Sequence, residues 1–186
     1  YIIFTSDQGF TLGEHRIVEG KSSFFEEDIV VPFVVRGPNI PEGEKITDEL
    51  TTVIDIAPTI STWAGVVPPD FVDGRSFAEL LDKNVIHKKN IRNTFLLEEY
   101  AFKGEEQGWK IPDIFASLVV PHLPEAEDLP KMIGIRTLEY TYLERPDGFV
   151  ELYNLAEDPY QLQNIASVVS PDLINSFSVL LHKMGN

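Results

Sequence analysis

The 186 residues contain no cysteine, which excludes disulfides, thiolate zinc sites, iron–sulfur clusters and any catalytic thiol within them. No window approaches about 18 consecutive apolar residues, so a membrane-spanning helix is excluded as well. Cations are scarce: 15 Lys and Arg stand against 30 Asp and Glu, for a formal net charge of −15. Such a field repels phosphate backbones and anionic lipid surfaces, and no nucleic-acid partner is expected. Asn-x-Ser/Thr sequons are absent too, so nothing here assigns a compartment and localisation stays open. The first residue is Tyr1 rather than methionine, and the chain opens on an apolar run with no lead-in. From this we expect a piece, or one processed chain, of a larger protein. What is present is an ordinary globular composition, 43% hydrophobic and 24% charged, enough for one domain or two small ones.

Tyr1 to Thr5 reads as a strand buried on both faces that stops at the polar loop Ser6-Asp7-Gln8-Gly9. In an open parallel sheet, ligands sit at the carboxyl ends of strands. A second run, Val30 to Val35, contains Pro32, which removes a ladder donor, so its regular strand should begin at or after that residue. Asp55 to Gly65 reads as a helix, with Asp55 as N-cap, Pro58 in the first turn and Gly65 as the stop. Ser76 to Leu81 reads as a short helix after the turn Asp73-Gly74.

Beyond a boundary near residues 83 to 92 the texture changes to short antiparallel strands: Thr94 to Tyr100, Ile133 to Arg136, Tyr140 to Glu144 and Phe149 to Tyr153. The turn Arg145-Pro146-Asp147-Gly148 joins the last two. Ser170-Pro171 then starts a helix whose Leu173, Ile174, Phe177, Leu180 and Leu181 form one apolar face, suited to pack on that small sheet. Lys103 to Leu129 reads as a long excursion, a lid or a substrate-side loop. The expected division is an α/β part over residues 1–88 and a smaller α+β part over residues 89–186.

Asp7 and Gln8 offer a carboxylate and an amide carbonyl where a strand ends, hard oxygen donors of the kind calcium or magnesium gathers from several loops. The same residues also fit a plain turn with an Asx-type hydrogen bond. Gly13-Glu14-His15-Arg16 follows at once, and Lys21 comes fourteen residues after Asp7. A small cationic group beside metal donors in an acidic protein suits an anionic ester, since metal and ammonium neutralise oxyanion charge and imidazole can move a proton. Singly, each has a structural reading: His15 and Lys21 as solvated residues, Arg16 as the partner of Glu14 or Glu19.

Together these residues resemble the sulfatase family. The stretch Phe4-Thr-Ser-Asp-Gln-Gly-Phe-Thr-Leu-Gly-Glu-His-Arg16, then Gly20-Lys21, then Phe25-Glu-Glu-Asp-Ile-Val-Val-Pro32-Phe-Val-Val-Arg-Gly-Pro38 is similar to that family's second metal-binding segment. Asp55-Ile-Ala-Pro-Thr59, Ala64-Gly65-Val66, Asp73-Gly74-Arg75-Ser76, Glu151-Leu-Tyr-Asn-Leu155, Asp158-Pro159 and Asn164 follow in the family's order. The resemblance covers nearly the whole chain except the excursion near residues 103 to 129.

It implies the end of an alkaline-phosphatase-like α/β domain with a parallel sheet, followed by a small α+β unit with an antiparallel sheet and a C-terminal helix. It also implies a carboxyl-terminal portion of a sulfuric ester hydrolase, with Asp7 as a calcium ligand and Gln8 in the next ligand position, where the family more often has asparagine. Lys21 matches the lysine that contacts the sulfate, and His15 a substrate contact or loop support. The implied partners are a sulfate-ester small molecule or sulfated glycan, and the missing amino-terminal part of the enzyme. The family's nucleophile is a formylglycine made from the cysteine of a Cys-x-Pro-x-Arg segment, whose hydrate attacks the sulfur. Neither that segment nor its serine version occurs here, so the nucleophile and about half the metal shell are expected upstream, and this chain alone is expected to be inactive. Two other readings stay open: a phosphonate or phosphate monoester hydrolase on the same scaffold, and a non-catalytic remnant or interaction module.

Overall fold

Ile2–Thr5 forms strand β1 and Phe33–Arg36 forms strand β2 in a computed structural model that describes residues 1–17, 20, 23–86, 90–99 and 132–185. The two pair antiparallel, with Ile2 opposite Arg36 and Thr5 opposite Phe33. As the run Val30 to Val35 implied, β2 begins just past Pro32, where ladder donors resume. Period-two alternation puts Ile3, Thr5, Phe33 and Val35 on the inner face. The outer face is uncovered by the described residues, with Ile2 70% and Phe4 66% exposed. The expectation of burial on both faces therefore fails here: an apolar run cannot itself say whether a second layer covers it.

Helix α1 is the single turn Glu26–Ile29. Helix α2, Ile56–Ala64, ends at Gly65 in the left-handed region at φ 68°, where a side chain is disfavoured. Asp55 stands at its N-cap position, as expected, but gives the helix no side-chain cap hydrogen bond. Thr52 is the capping residue of a 3₁₀ turn over Val53–Asp55, and Asp55 closes a reciprocal capping box with it. Helix α3 spans Ala78–Leu81, two residues later than the run from Ser76 suggested. Gly74 is obligatory before it, because a Cβ there would lie 2.0 Å from the Ile54 carbonyl oxygen.

Four further strands, β3 (Thr94–Glu99), β4 (Met132–Thr137), β5 (Tyr140–Glu144) and β6 (Val150–Asn154), form an antiparallel sheet in sequential order. The β5–β6 turn closes as expected: Gly148 N–H donates to the Arg145 carbonyl at 2.9 Å, with Gly148 at φ 83°. Helix α4, Pro171–Met184, is capped by Ser170, whose side chain accepts from Leu173 N–H.

Two compact units result. The first comprises residues 1–95, 136–140 and 154–163, and its buried apolar residues are Phe24, Leu50, Phe77, Ala78 and Leu80. Phe33 meets Phe77 edge to face at 5.3 Å. The second comprises residues 96–135, 141–153 and 164–186, with Ile135, Tyr142, Leu143, Leu152, Phe177 and Leu181 buried. There α4 lays Phe177 over Tyr142 of β5, ring centroids 5.6 Å apart. Asn164 occupies part of the β6 edge: its amide donates to the Val150 carbonyl and its oxygen accepts from Leu152 N–H, both at 3.0 Å. An edge tied this way offers fewer open groups to another strand. The expected excursion at 103–129 lies outside the described residues.

Candidate functional site

Strand β1 runs out at Thr5, and the next three residues turn sharply. Ser6 Oγ donates to the Gln8 carbonyl at 2.8 Å, and Gln8 N–H donates to Asp7 Oδ1 at 3.0 Å. The Asx-type turn is therefore present. It uses one oxygen of Asp7 only, leaving Oδ2 and the whole amide of Gln8 without a hydrogen bond among the described residues, on two exposed side chains. In kind these donors fit a hard cation. In number they are two where calcium takes six to eight, and among the described residues no three His, Asp or Glu side chains gather as a metal cluster.

The backbone after Gln8 is fixed against α1. Gly9 N–H donates to the Asp28 carbonyl at 2.7 Å and Phe10 N–H to the Glu27 carbonyl at 3.1 Å. Approach is so close that a Cβ on Gly9 would sit 1.8 Å from the Glu27 oxygen. Further on, Thr11 and Gly20 bridge in both directions. Glu14 turns back to accept from Leu12 N–H at 2.6 Å, and this bond chiefly holds its carboxyl below the usual range.

His15 does not lie on the surface. Its side chain is 8% exposed, stacked flat on Phe25 at 3.5 Å, with Nε2 3.3 Å from Glu27 Oε2. Because a carboxylate only accepts, Nε2 carries the proton. His15 and Arg16 both have positive φ, 54° and 65°, an uncommon conformation for residues with a Cβ. Stack and pair together hold the loop in it. Lys21, expected as the sulfate contact, lies outside the described residues.

Sequence reasoning missed the residues that back this loop. Glu26 of α1 receives Arg136 through Nε at 2.8 Å and Nη2 at 3.1 Å, a two-pronged pair, and Glu26 N–H donates to Gln161 Oε1 at 2.7 Å. Asp28, buried, accepts from Ser23 N–H and Oγ. The acids of Glu26-Glu27-Asp28 were visible as a run, but nothing local pointed to partners more than a hundred residues away.

The chain has counterparts of known sequence and structure. The family model described as N-sulphoglucosamine sulphohydrolase, C-terminal, matches residues 13–114. The chain is similar to N-acetylglucosamine-6-sulfatase of Capra hircus, 30% identical over 196 residues that cover 97% of this chain and 34% of that protein. Among solved structures, it resembles BT4656 in complex with its substrate D-glucosamine-2-N,6-O-disulfate, at a TM-score of 0.73 and 22% identity, covering 97% of this chain and 33% of that one. It also resembles the phosphonate monoester hydrolase of Agrobacterium radiobacter, at a TM-score of 0.71 and 25% identity, covering 98% and 34%. The chain thus spans about a third of the length of these proteins.

Proposed function

The chain belongs to the sulfatase family, and from that premise we propose that it carries one side of a sulfuric ester hydrolase site, with Asp7 and Gln8 as calcium donors and Lys21 as the sulfate contact. The supporting observation is that Asp7 Oδ2 and Gln8 Oε1, on exposed side chains just past the end of β1, take no hydrogen bond among the described residues. Asp7 is the stronger donor, since Gln8 offers a neutral carbonyl on a longer stem. Bound calcium would supply a positive centre for a sulfate oxygen. His15, buried against Phe25 and Glu27, supports the loop in this reading and leaves the sulfate to Lys21.

Neither a Cys-x-Pro-x-Arg nor a Ser-x-Pro-x-Arg segment occurs in these residues, so they offer no precursor for the formylglycine. The nucleophile and the remaining metal donors then come from other residues of the enzyme. The uncovered outer face of β1 and β2, with Ile2, Phe4 and Val34 exposed, suits burial by that remainder. A sulfated glycan is the proposed substrate class, in keeping with the likeness to N-acetylglucosamine-6-sulfatase and to BT4656 bound to D-glucosamine-2-N,6-O-disulfate.

Calorimetric titration of the full-length polypeptide that carries this chain tests the assignment. Calcium should bind, and Asp7→Ala should abolish binding; undiminished affinity in Asp7→Ala would overturn it. The 186-residue chain alone should leave a chromogenic aryl sulfate intact, and turnover by it would refute the divided site. A second reading, phosphonate monoester hydrolysis, is favoured by the likeness to the Agrobacterium enzyme. Matched sulfate and phosphonate esters offered to the full-length polypeptide decide between the two.

A further inference from the structure

Among the described residues, the side chains of Asp7 and Gln8 make no hydrogen bond beyond their own turn, so the backbone there largely sets where their oxygens stand. That backbone is set by two bonds to α1, from Gly9 N–H to the Asp28 carbonyl and from Phe10 N–H to the Glu27 carbonyl. Yet α1 is four residues long and its N-cap residue, Phe25, contributes no side-chain hydrogen bond. A single turn does not hold itself in water. Two of its acids are held locally: Glu27 by His15 and Asp28 by Ser23. The third, Glu26, is held from afar by Arg136 and Gln161, 110 and 135 residues along the chain and within the same compact unit.

Gln161 is the telling residue. It is 2% exposed and sits at φ 51°, in the left-handed region, without being glycine. Such a conformation costs energy and persists where the surroundings over-determine it, often beside functional sites. Here its side-chain oxygen takes the first N–H of α1, the group a helix start leaves open. Arg136 supplies the fork that a lysine could not.

We propose that Arg136 and Gln161 are positioning residues that lock α1 and, through it, fix the Asp7–Gln8 donors for metal. The inference rests on the calcium reading of those donors. Three variants of the full-length polypeptide test it: Arg136→Met, Arg136→Lys, and Gln161→Gly, which removes the acceptor while relieving the backbone strain. Calcium affinity is read by calorimetry, and exchange of the Gly9 and Phe10 amides by hydrogen–deuterium exchange. Arg136→Met and Gln161→Gly should weaken calcium roughly tenfold, the usual effect of losing an outer support, and speed exchange at both amides. Arg136→Lys should recover part of the affinity, because it keeps the charge but not the fork.

Support of stability alone would lower the unfolding temperature and leave the calcium affinity of the folded molecules unchanged, and that result overturns the inference. Should Arg136→Met not fold, Gln161→Gly and Arg136→Lys carry the same decision. If the unaltered polypeptide binds no calcium, the calcium reading fails by itself. Amide exchange then decides the rest: acceleration in the variants upholds the lock on α1, and no change refutes it.

Discussion

Asp55 shows how much one side chain can carry. It is wholly buried, and its carboxylate accepts from Thr52 N–H at 2.8 Å, Thr52 Oγ1 at 3.2 Å, Arg75 N–H at 2.6 Å and the Arg92 guanidinium. Three separate segments are thereby tied at one point. Asp55→Asn removes the countercharge from Arg92, itself 10% exposed. The expected loss is about 3–5 kcal/mol, the range for breaking a buried pair from one side, seen as a lower urea midpoint. In the sequence Asp55 stood out as a helix-start residue, which is correct in place and wrong in partner. The rule that finds an N-cap looks three residues ahead, whereas Arg75 and Arg92 are 20 and 37 residues away. The same limit hid the partners of Glu26.

Strands and helices were far more legible, because their signals are local. Tyr140–Glu144 matches the expected strand at both ends, since alternating β-branched and aromatic residues run between two turns. The last helix follows from Ser170-Pro171. Sheet direction was not legible for β1 and β2, as a short apolar run carries no mark of its neighbour's sense. Where α4 meets β5, packing has a consequence for pH. Tyr142 is buried beneath Phe177 and donates to Glu144 Oε1 at 2.8 Å; burial first, and the carboxylate next, push its phenol well above the ordinary value. As pH rises past about 10, the unfolded chain loses this proton before the folded one does. The folded state then holds more protons, so stability falls with rising pH. The contribution is intact below that pH and is lost through the alkaline range. Urea midpoints against pH should decline above about 10 and flatten in Tyr142→Phe.

At the scale of the molecule, charge and apolar surface pull in opposite directions. The net charge of −15 favours solubility, while Ile2, Phe4 and Val34 present an apolar strip on a two-strand sheet face that the described residues leave uncovered. Phe4→Lys should raise the solubility of the isolated chain and lower the unfolding temperature of the full-length polypeptide. Light scattering and calorimetry read the two arms; a full-length polypeptide indifferent to Phe4→Lys would mean that nothing covers this face. The family resemblance was legible because it rests on short local motifs, from Phe4–Arg16 and Phe25–Pro38 through to Asn164, each read from neighbouring residues. How the site is held was not, because half its support is written elsewhere in the chain.

The distance from Glu26 to Arg136 and Gln161, 110 and 135 residues, also sets an order of events. A ribosome adds about 5–20 residues per second, so Asp7 and Gln8 leave it on the order of ten seconds before Arg136 and Gln161. Until they emerge, α1 has only its local partners, His15 on Glu27 and Ser23 on Asp28, and its first N–H has no acceptor from Gln161. A polypeptide cut short before that point would hold Asp7 and Gln8 without Arg136 or Gln161 to steady α1, and under the proposed reading it would bind calcium poorly.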